Sequence, residues 1–341
     1  MTVEKQPETA KFLWEVCGHE NIVVYLKSAI LNNNLHHAYI FAGQNGLGKK
    51  NVADRLIQTL YCQGQSEYKP CGECSTCRQL ASGVYPDIFY IRRLIDEKTG
   101  KLKREIIIDQ IRELKFKLAQ GTLLSSWKIA LIEEAELLNI SAANSLLKVL
   151  EEPTKKTIII LLVSDLSAVL PTISSRCQTI NFLPVNQKEI KDFIAAKYEL
   201  SNDRANRIAK LSLGRPGLAI KFAEDNDYYE ATTADIKKFQ ELIKTPLANR
   251  FKVLDDLVDW HKDESLNIGK LNQLLDNWLI GLRDYLLNDI GSSGLAALGE
   301  SKNNPPLAWL LKTYLLIGET RKNLDFNISS KNLLENLIIN I

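Results

Sequence analysis

Four cysteines, Cys62, Cys71, Cys74 and Cys77, fall within YCQGQSEYKPCGECSTCRQL at the spacing C-x8-C-x2-C-x2-C. Tetrahedral zinc accepts four thiolates, and closely spaced cysteines let one knuckle present several sulfurs to a single ion. Gly64, Pro70 and Gly72 supply the turns. A structural zinc is the expected ligand; an iron–sulfur cluster and unligated thiols are the alternatives. With all four positions filled by protein, such a metal has no open site for catalysis. Its binding, about 10–16 kcal/mol in small zinc-finger peptides, suffices to fold an insertion with almost no core of its own.

A second chemistry is suggested by Gly43-Gln44-Asn45-Gly46-Leu47-Gly48-Lys49-Lys50, which follows the strand-like AYIF and precedes the helix-like NVADRLIQTLYC. Glycines let backbone N–H groups converge on a phosphate at a helix N-terminus, and Lys49 adds a point charge. The motif calls for Ser or Thr after the lysine to coordinate Mg²⁺. Here that position is Lys50. At an effective dielectric near 20, like unit charges about 4 Å apart repel by roughly 4 kcal/mol. The run KIALIEEAE ends a strand in carboxylates, where a phosphate-loop enzyme holds Mg²⁺ and polarises water, but its first acid is Glu133 where Asp is usual. ATP or ADP binding is compatible with these residues and hydrolysis is not expected. A strand-to-helix turn that kept its glycines and a merely solvated acidic strand end are the plain alternatives.

These residues need a scaffold. The chain has 341 residues, enough for two or three cores. Hydrophobic residues make up 45% and charged residues 25%, as in a folded chain. The net charge of +2 argues against coating nucleic acid or an anionic membrane by bulk charge. To about residue 185, aliphatic runs such as Ile158 to Val163 alternate with helical stretches, which predicts an α/β domain around a parallel sheet. Residues 185–228 read as a small helical domain closed by the turn Gly214-Arg215-Pro216-Gly217, and 229–341 as all-helical. Leu271, Leu274, Leu275, Trp278, Leu282, Tyr285 and Leu286 recur at helical spacing, as do Phe251, Leu254, Leu257 and Val258, with 291–306 a long loop. No run approaches the roughly 18 apolar residues of a membrane span, and the first residues do not read as a secretory signal. The chain is expected in the cytoplasm, with its cysteines reduced and Cys17 and Cys177 simply packed.

In this order the segments resemble the bacterial DNA polymerase III clamp-loader family. VCGHENIVVYLKSAILNNNLHHAYIFAG is similar to its N-terminal box, the four cysteines to its zinc insertion, NSLLKVLEEPTKKTIIILLVSD to its hallmark helix and nucleotide-sensing strand, and LPTISSRCQTINF to its Ser-Arg-Cys signature. NISSKNLLENLIINI resembles the last helix of its oligomerising collar. The resemblance implies an AAA+ phosphate-loop domain with a zinc module at 62–77 (residues 1–184), a helical lid (185–228) and a helical collar (229–341).

It further implies that Gly43, Gly46, Gly48, Lys49, Lys50, the sensing Ser164 and the second-sensor Arg215 form a vestigial nucleotide site. Arg176 becomes an arginine finger acting in trans on ATP held by a neighbour, a role worth ~10³–10⁵ in rate. Lys50 and Glu133 point to the branch of the family whose own ATP site is degraded, a stator without ATPase activity of its own. The implied partners are an ATPase subunit of the gamma/tau type and a delta-like subunit of the DNA polymerase III holoenzyme. The sliding clamp and primed DNA are reached through the complex. The alternatives are the ATPase motor subunit itself and a phosphate-loop nucleoside or nucleotide kinase. The stretch from Arg92 to Lys117, locally +4, reads as a solvated hairpin and helix more readily than a DNA contact. His36 and His37 read as packing or capping residues. Trp260, Trp278 and Trp309 read mostly as core.

Overall fold

In the computed structural model, residues 11–83, 85–97, 100, 102–120, 127–154, 156–257, 264–289, 306–324 and 329–341 are described, side chains excepted at 256–257, 264–267 and 284–289. Two compact units result: one runs to Ile190 and takes in Gly214–Gly217, the other comprises Lys191–Leu213 and Leu218–Ile341.

In the first unit the short β1 (Lys11–Phe12) pairs in parallel with β3 (Tyr68–Lys69). The main sheet holds β2 (Ala38–Ala42), β4 (Ile88–Ile91), β5 (Lys128–Ile132), β6 (Thr157–Val163) and β7 (Gln178–Asn181), all parallel, in the order β4-β5-β6-β2-β7. β2, β5 and β6 are buried at every position, as unbroken aliphatic runs require when both faces are covered. Alternation along the strands divides the core in two. Tyr39, Phe41, Ile129, Leu131, Ile158 and Ile160 join one cluster with Leu56 and Ile57. Ala38, Ile40, Ala130, Ile132, Ile159 and Leu161 join the other with Leu114 and Leu146.

Five helices accompany these strands: α1 (Glu20–Leu31), α2 (Lys49–Tyr61), α3 (Ser75–Ala81), α4 (Ile108–Ala119) and α5 (Ile140–Glu151). The short α6 (Pro171–Ser174) leads into β7. Lys128, polar yet buried in β5, donates to the Leu118 carbonyl at 2.8 Å, so its ammonium satisfies the C-terminal end of α4. Asn139 caps α5 by accepting the Ala142 N–H at 2.8 Å.

The strand order places β6 between β2 and β5. The loop after β2, the acidic end of β5 and Ser164 after β6 therefore lie at the same carboxyl edge of the sheet, where open α/β folds bind ligands.

Helix α7 (Gln187–Tyr198) leaves the first unit at Ile190, and α9 (Pro216–Glu224) leaves it at Gly217. The other elements among the described residues of the second unit are helices: α8 (Asn202–Leu211), α10 (Asn226–Lys244), α11 (Leu247–Leu257), α12 (Glu264–Asp289), α13 (Leu307–Asn323) and α14 (Ser330–Asn340). Leu271, Leu274, Leu275, Trp278 and Leu282 are buried as their spacing predicts, and Trp278 stacks on Phe239 with ring centroids 5.1 Å apart. Leu254 is buried and Phe251 half-buried. Trp309 donates to the Ile341 carbonyl at 2.7 Å, tying α13 to the end of α14. The side chains of Leu257, Tyr285 and Leu286, and Val258, Trp260 and nearly all of the expected loop 291–306, lie outside the described residues. Among the described residues no helix is long and apolar enough to cross a membrane.

Candidate functional site

The loop Gly43–Gly48 turns the chain from β2 into α2, with Gly43, Gly46 and Gly48 all at positive φ. At Gly43 (φ 144) a Cβ would lie 2.4 Å from the carbonyl of Phe182, the residue after β7, so only glycine fits there. The loop carbonyls are bonded inside the chain. Lys49 donates to the carbonyls of Gly43 and Gln44. The Gly217 N–H donates to Gly46 at 2.7 Å, and His19 Nε2 to Leu47 at 2.7 Å. Lys49 is buried, which pulls its pKa below the ordinary lysine value against the attraction of Glu136.

Lys50 sits one residue into α2 and donates to Glu133 Oε1 at 2.9 Å, with Asp54 Oδ2 at 3.9 Å and the Tyr90 ring 5.1 Å below its ammonium. Burial opposes the lysine's charge. The hydrogen bond to Glu133 and the charges of Asp54 and Glu133 more than reverse this, and its pKa lies above the ordinary value. Burial in turn raises the Asp54 carboxyl, with Lys50 resisting.

The next acid, Glu134, stands at φ 53 and is gripped by Arg93 through Nε at 2.7 Å and Nη2 at 2.9 Å, a fork-on-carboxylate pair. Glu136 accepts both the N–H (2.9 Å) and the hydroxyl of Ser164 on one oxygen, while its other oxygen is buried without a hydrogen-bond partner. The carboxylates at this sheet edge thus already face donors from their own chain.

The cysteine knuckle follows α2. Sulfurs of Cys62, Cys71, Cys74 and Cys77 all lie within 4.8 Å of one another, Cys71 and Cys77 at 3.9 Å. Four sulfurs about 2.3 Å from a tetrahedral zinc stand roughly 3.8 Å apart. Cys62, Cys71 and Cys74 each accept a backbone N–H from the next cysteine of the set, at 3.3 to 3.4 Å. Burial holds the Cys62 and Cys77 thiols above their ordinary value, whereas at Cys74 the N–H groups of Cys77 and Gln63 outweigh burial and bring the pKa down to about 6. A Cβ on Gly64 would lie 2.5 Å from the Cys71 sulfur, so the cradle closes only around glycine. Sulfur donors at this spacing suit a metal ion. Cys17 and Cys177 stand apart, their thiols pushed up to about 12 chiefly by burial.

Arg176 follows α6 in the Ser-Arg-Cys corner, half-buried like Cys177 after it, and pairs with Glu151 at 2.7 Å. Arg215 is half-buried in the turn entering α9, next to the Pro216-Gly217 step that bonds the Gly43–Gly48 loop. His36 and His37 stack at 4.5 Å, and His37 Nε2 caps the Leu150 carbonyl at 3.2 Å, as capping residues should.

The structure therefore gathers Gly43, Gly46, Gly48, Lys49 and Lys50 in one loop and leaves Arg176 outside it. Three partners escape sequence reasoning: Arg93, Glu136 and His19. Arg93 lies in a basic stretch that reads as solvated. Only the fold reveals that it reaches an acid 41 residues away.

The family described as "DNA polymerase III, delta subunit" matches residues 18–186. The chain is 30% identical over 289 residues to DNA polymerase III subunit delta' of Pseudomonas aeruginosa, which spans 81% of this chain and 84% of that protein. With DNA polymerase III subunit delta' of Bacillus subtilis the identity is 28% over 330 residues, 93% of this chain and 94% of the other. DNA polymerase III subunit tau of Bacillus subtilis is 31% identical over 176 residues, 52% of this chain and 30% of that one. Similarity to the delta' proteins thus runs well beyond the sheet-bearing unit, and the chain belongs to the delta' family of DNA polymerase III subunits.

Proposed function

We propose that this chain is a stator of the bacterial replicative clamp loader: a cytoplasmic delta'-type subunit that does not hydrolyse ATP itself and lends Arg176 in trans to ATP held by a neighbour. The observation that carries this is the Lys50 ammonium 2.9 Å from Glu133, at the position where the motif needs a hydroxyl to hold Mg²⁺. The bidentate Arg93–Glu134 pair adds to it by engaging the next carboxylate. Gly43, Gly46, Gly48, Lys49, Lys50, Ser164 and Arg215 then form a remnant pocket able to hold ATP or ADP without turnover.

Cys62, Cys71, Cys74 and Cys77 hold a structural zinc with no open coordination position. The organisation is an AAA+ domain (1–184), a lid (185–228) and a collar (229–341) that assembles with gamma/tau-type and delta-like subunits. Through that assembly the chain helps place the sliding clamp on primed DNA. Arg176 suits its role because a guanidinium offers several N–H groups to developing phosphoryl charge.

ATP hydrolysis by the purified chain and by the reconstituted loader, with and without R176A, tests this. The chain alone is expected to be inactive, and R176A to assemble normally while lowering clamp loading at least about tenfold. Mg²⁺-dependent turnover by the chain alone, or unchanged loading with R176A, overturns it.

A further inference from the structure

The guanidinium of Arg176 is not left to solvent. Its Nη2 stands 2.7 Å from Glu151 Oε1. Its Nη1 donates to the Thr172 carbonyl at 2.9 Å and lies 3.4 Å from Ser175 Oγ. Of the five N–H groups of an arginine, these bonds use three, which leaves the Nε–H and one Nη2–H for an anion.

Both ends of the pair rest on rigid ground. Glu151 is the last residue of α5, directly after Val149 and Leu150, which are buried in one of the two sheet cores. The Arg176 N–H is bonded to the carbonyl of the buried Ile173 at 3.0 Å, and Cys177 packs against the same core. The side chains themselves are 37% and 47% exposed. A pair that open adds little to folding, because water screens it. What it does fix is a rotamer: a long side chain with many rotamers is held in one, with two of its donors left over from these bonds.

We infer that Glu151 is a positioning residue, whose carboxylate holds Arg176 in the rotamer from which it meets the triphosphate of a neighbouring subunit. This rests on the trans role of Arg176 proposed above. The group that acts on phosphate is the arginine; Glu151 touches only the arginine. Glu152, the adjacent carboxylate, has no bond to Arg176 and serves as the internal comparison.

The test is steady-state ATP hydrolysis by the reconstituted loader with clamp and primed DNA, at varied ATP, using E151A, E151Q, E152A, R176A and the E151A R176A double variant. E151A is expected to lower kcat about fivefold, the size of a half-exposed charge contact, with KM for ATP and subunit stoichiometry unchanged. E151Q, which keeps an oxygen acceptor for Nη2, recovers most of the rate, and E152A matches the parent. In the double variant E151A adds nothing to R176A, because the residue acts only through the arginine. The inference is overturned if E151A leaves kcat unchanged while R176A lowers it, if the two losses multiply in the double variant, or if E151A acts through KM or lost assembly. If R176A itself changes nothing, the trans-arginine reading has failed first and Glu151 has nothing to position.

Discussion

Replacing Lys50 by threonine tests the reading of the phosphate loop most directly. In the parent chain the Lys50 ammonium is anchored 2.9 Å from Glu133 and 3.9 Å from Asp54. A magnesium ion about 4 Å from that ammonium is repelled by twice the unit-charge energy, about 8 kcal/mol at an effective dielectric of 20 and about 2 kcal/mol at that of water. The lysine side chain is 49% exposed, so the true penalty lies between these limits. Even the lower bound is a factor of roughly 30 in affinity. K50T removes the charge and supplies the oxygen that the metal requires, leaving Glu133 and Asp54 to attract it. Calorimetric titration of ADP with excess Mg²⁺ or excess EDTA is the assay. The parent chain is expected to bind MgADP no better than metal-free ADP, and K50T to bind MgADP at least about 30-fold better than the parent does. Mg²⁺-strengthened binding by the parent chain would refute the argument that the ammonium stands in the place of the metal.

Other perturbations probe neighbouring features. G64A places a methyl 2.5 Å from the Cys71 sulfur, so zinc content measured after purification should fall and the thermal midpoint drop by several degrees. R93A leaves Glu134 without its fork and should lower stability by about 1 kcal/mol in denaturant titration, yet confer no ATPase activity while Lys50 remains. In the helical unit Asp235 accepts from Asn277 at 2.8 Å, and burial raises its pKa. The native state therefore disfavours its charge at neutral pH, and that cost disappears as pH falls through the carboxylate range. D235N should stabilise the protein at pH 7, and its advantage should shrink to nothing in acid. An advantage that grows on acidification would contradict the assignment.

The parts written in local pattern were open to sequence reasoning. Unbroken apolar runs such as TIIILLV could only be buried on both faces, and they form the centre of the sheet. The cysteine spacing put four sulfurs together without any knowledge of the fold. Lys50 and Glu133 were each legible as departures from a motif, but not as partners, because 83 residues separate them and nothing local encodes their meeting. The same holds for Arg93 with Glu134 and for Ser164 with Glu136. Ion pairs across strand ends depend on strand order, which propensity and periodicity do not specify. Glu151 illustrates a further limit. It sits in a helix end whose pattern was recognised, yet which of its two carboxylates turns toward Arg176 depends on where one helix stops.

The bond from the Gly217 N–H to the Gly46 carbonyl joins two stretches of main chain, and a Cβ on Gly217 would stand 3.0 Å from that oxygen. A fastening of this kind is nearly invisible to mutational drift, since ordinary substitutions leave both atoms in place. Only a residue lacking an amide hydrogen at 217, or one too bulky for the gap, would undo it. Side chains around the loop can therefore be exchanged while this bond between main-chain atoms holds the course of the backbone from Gly43 to Gly48.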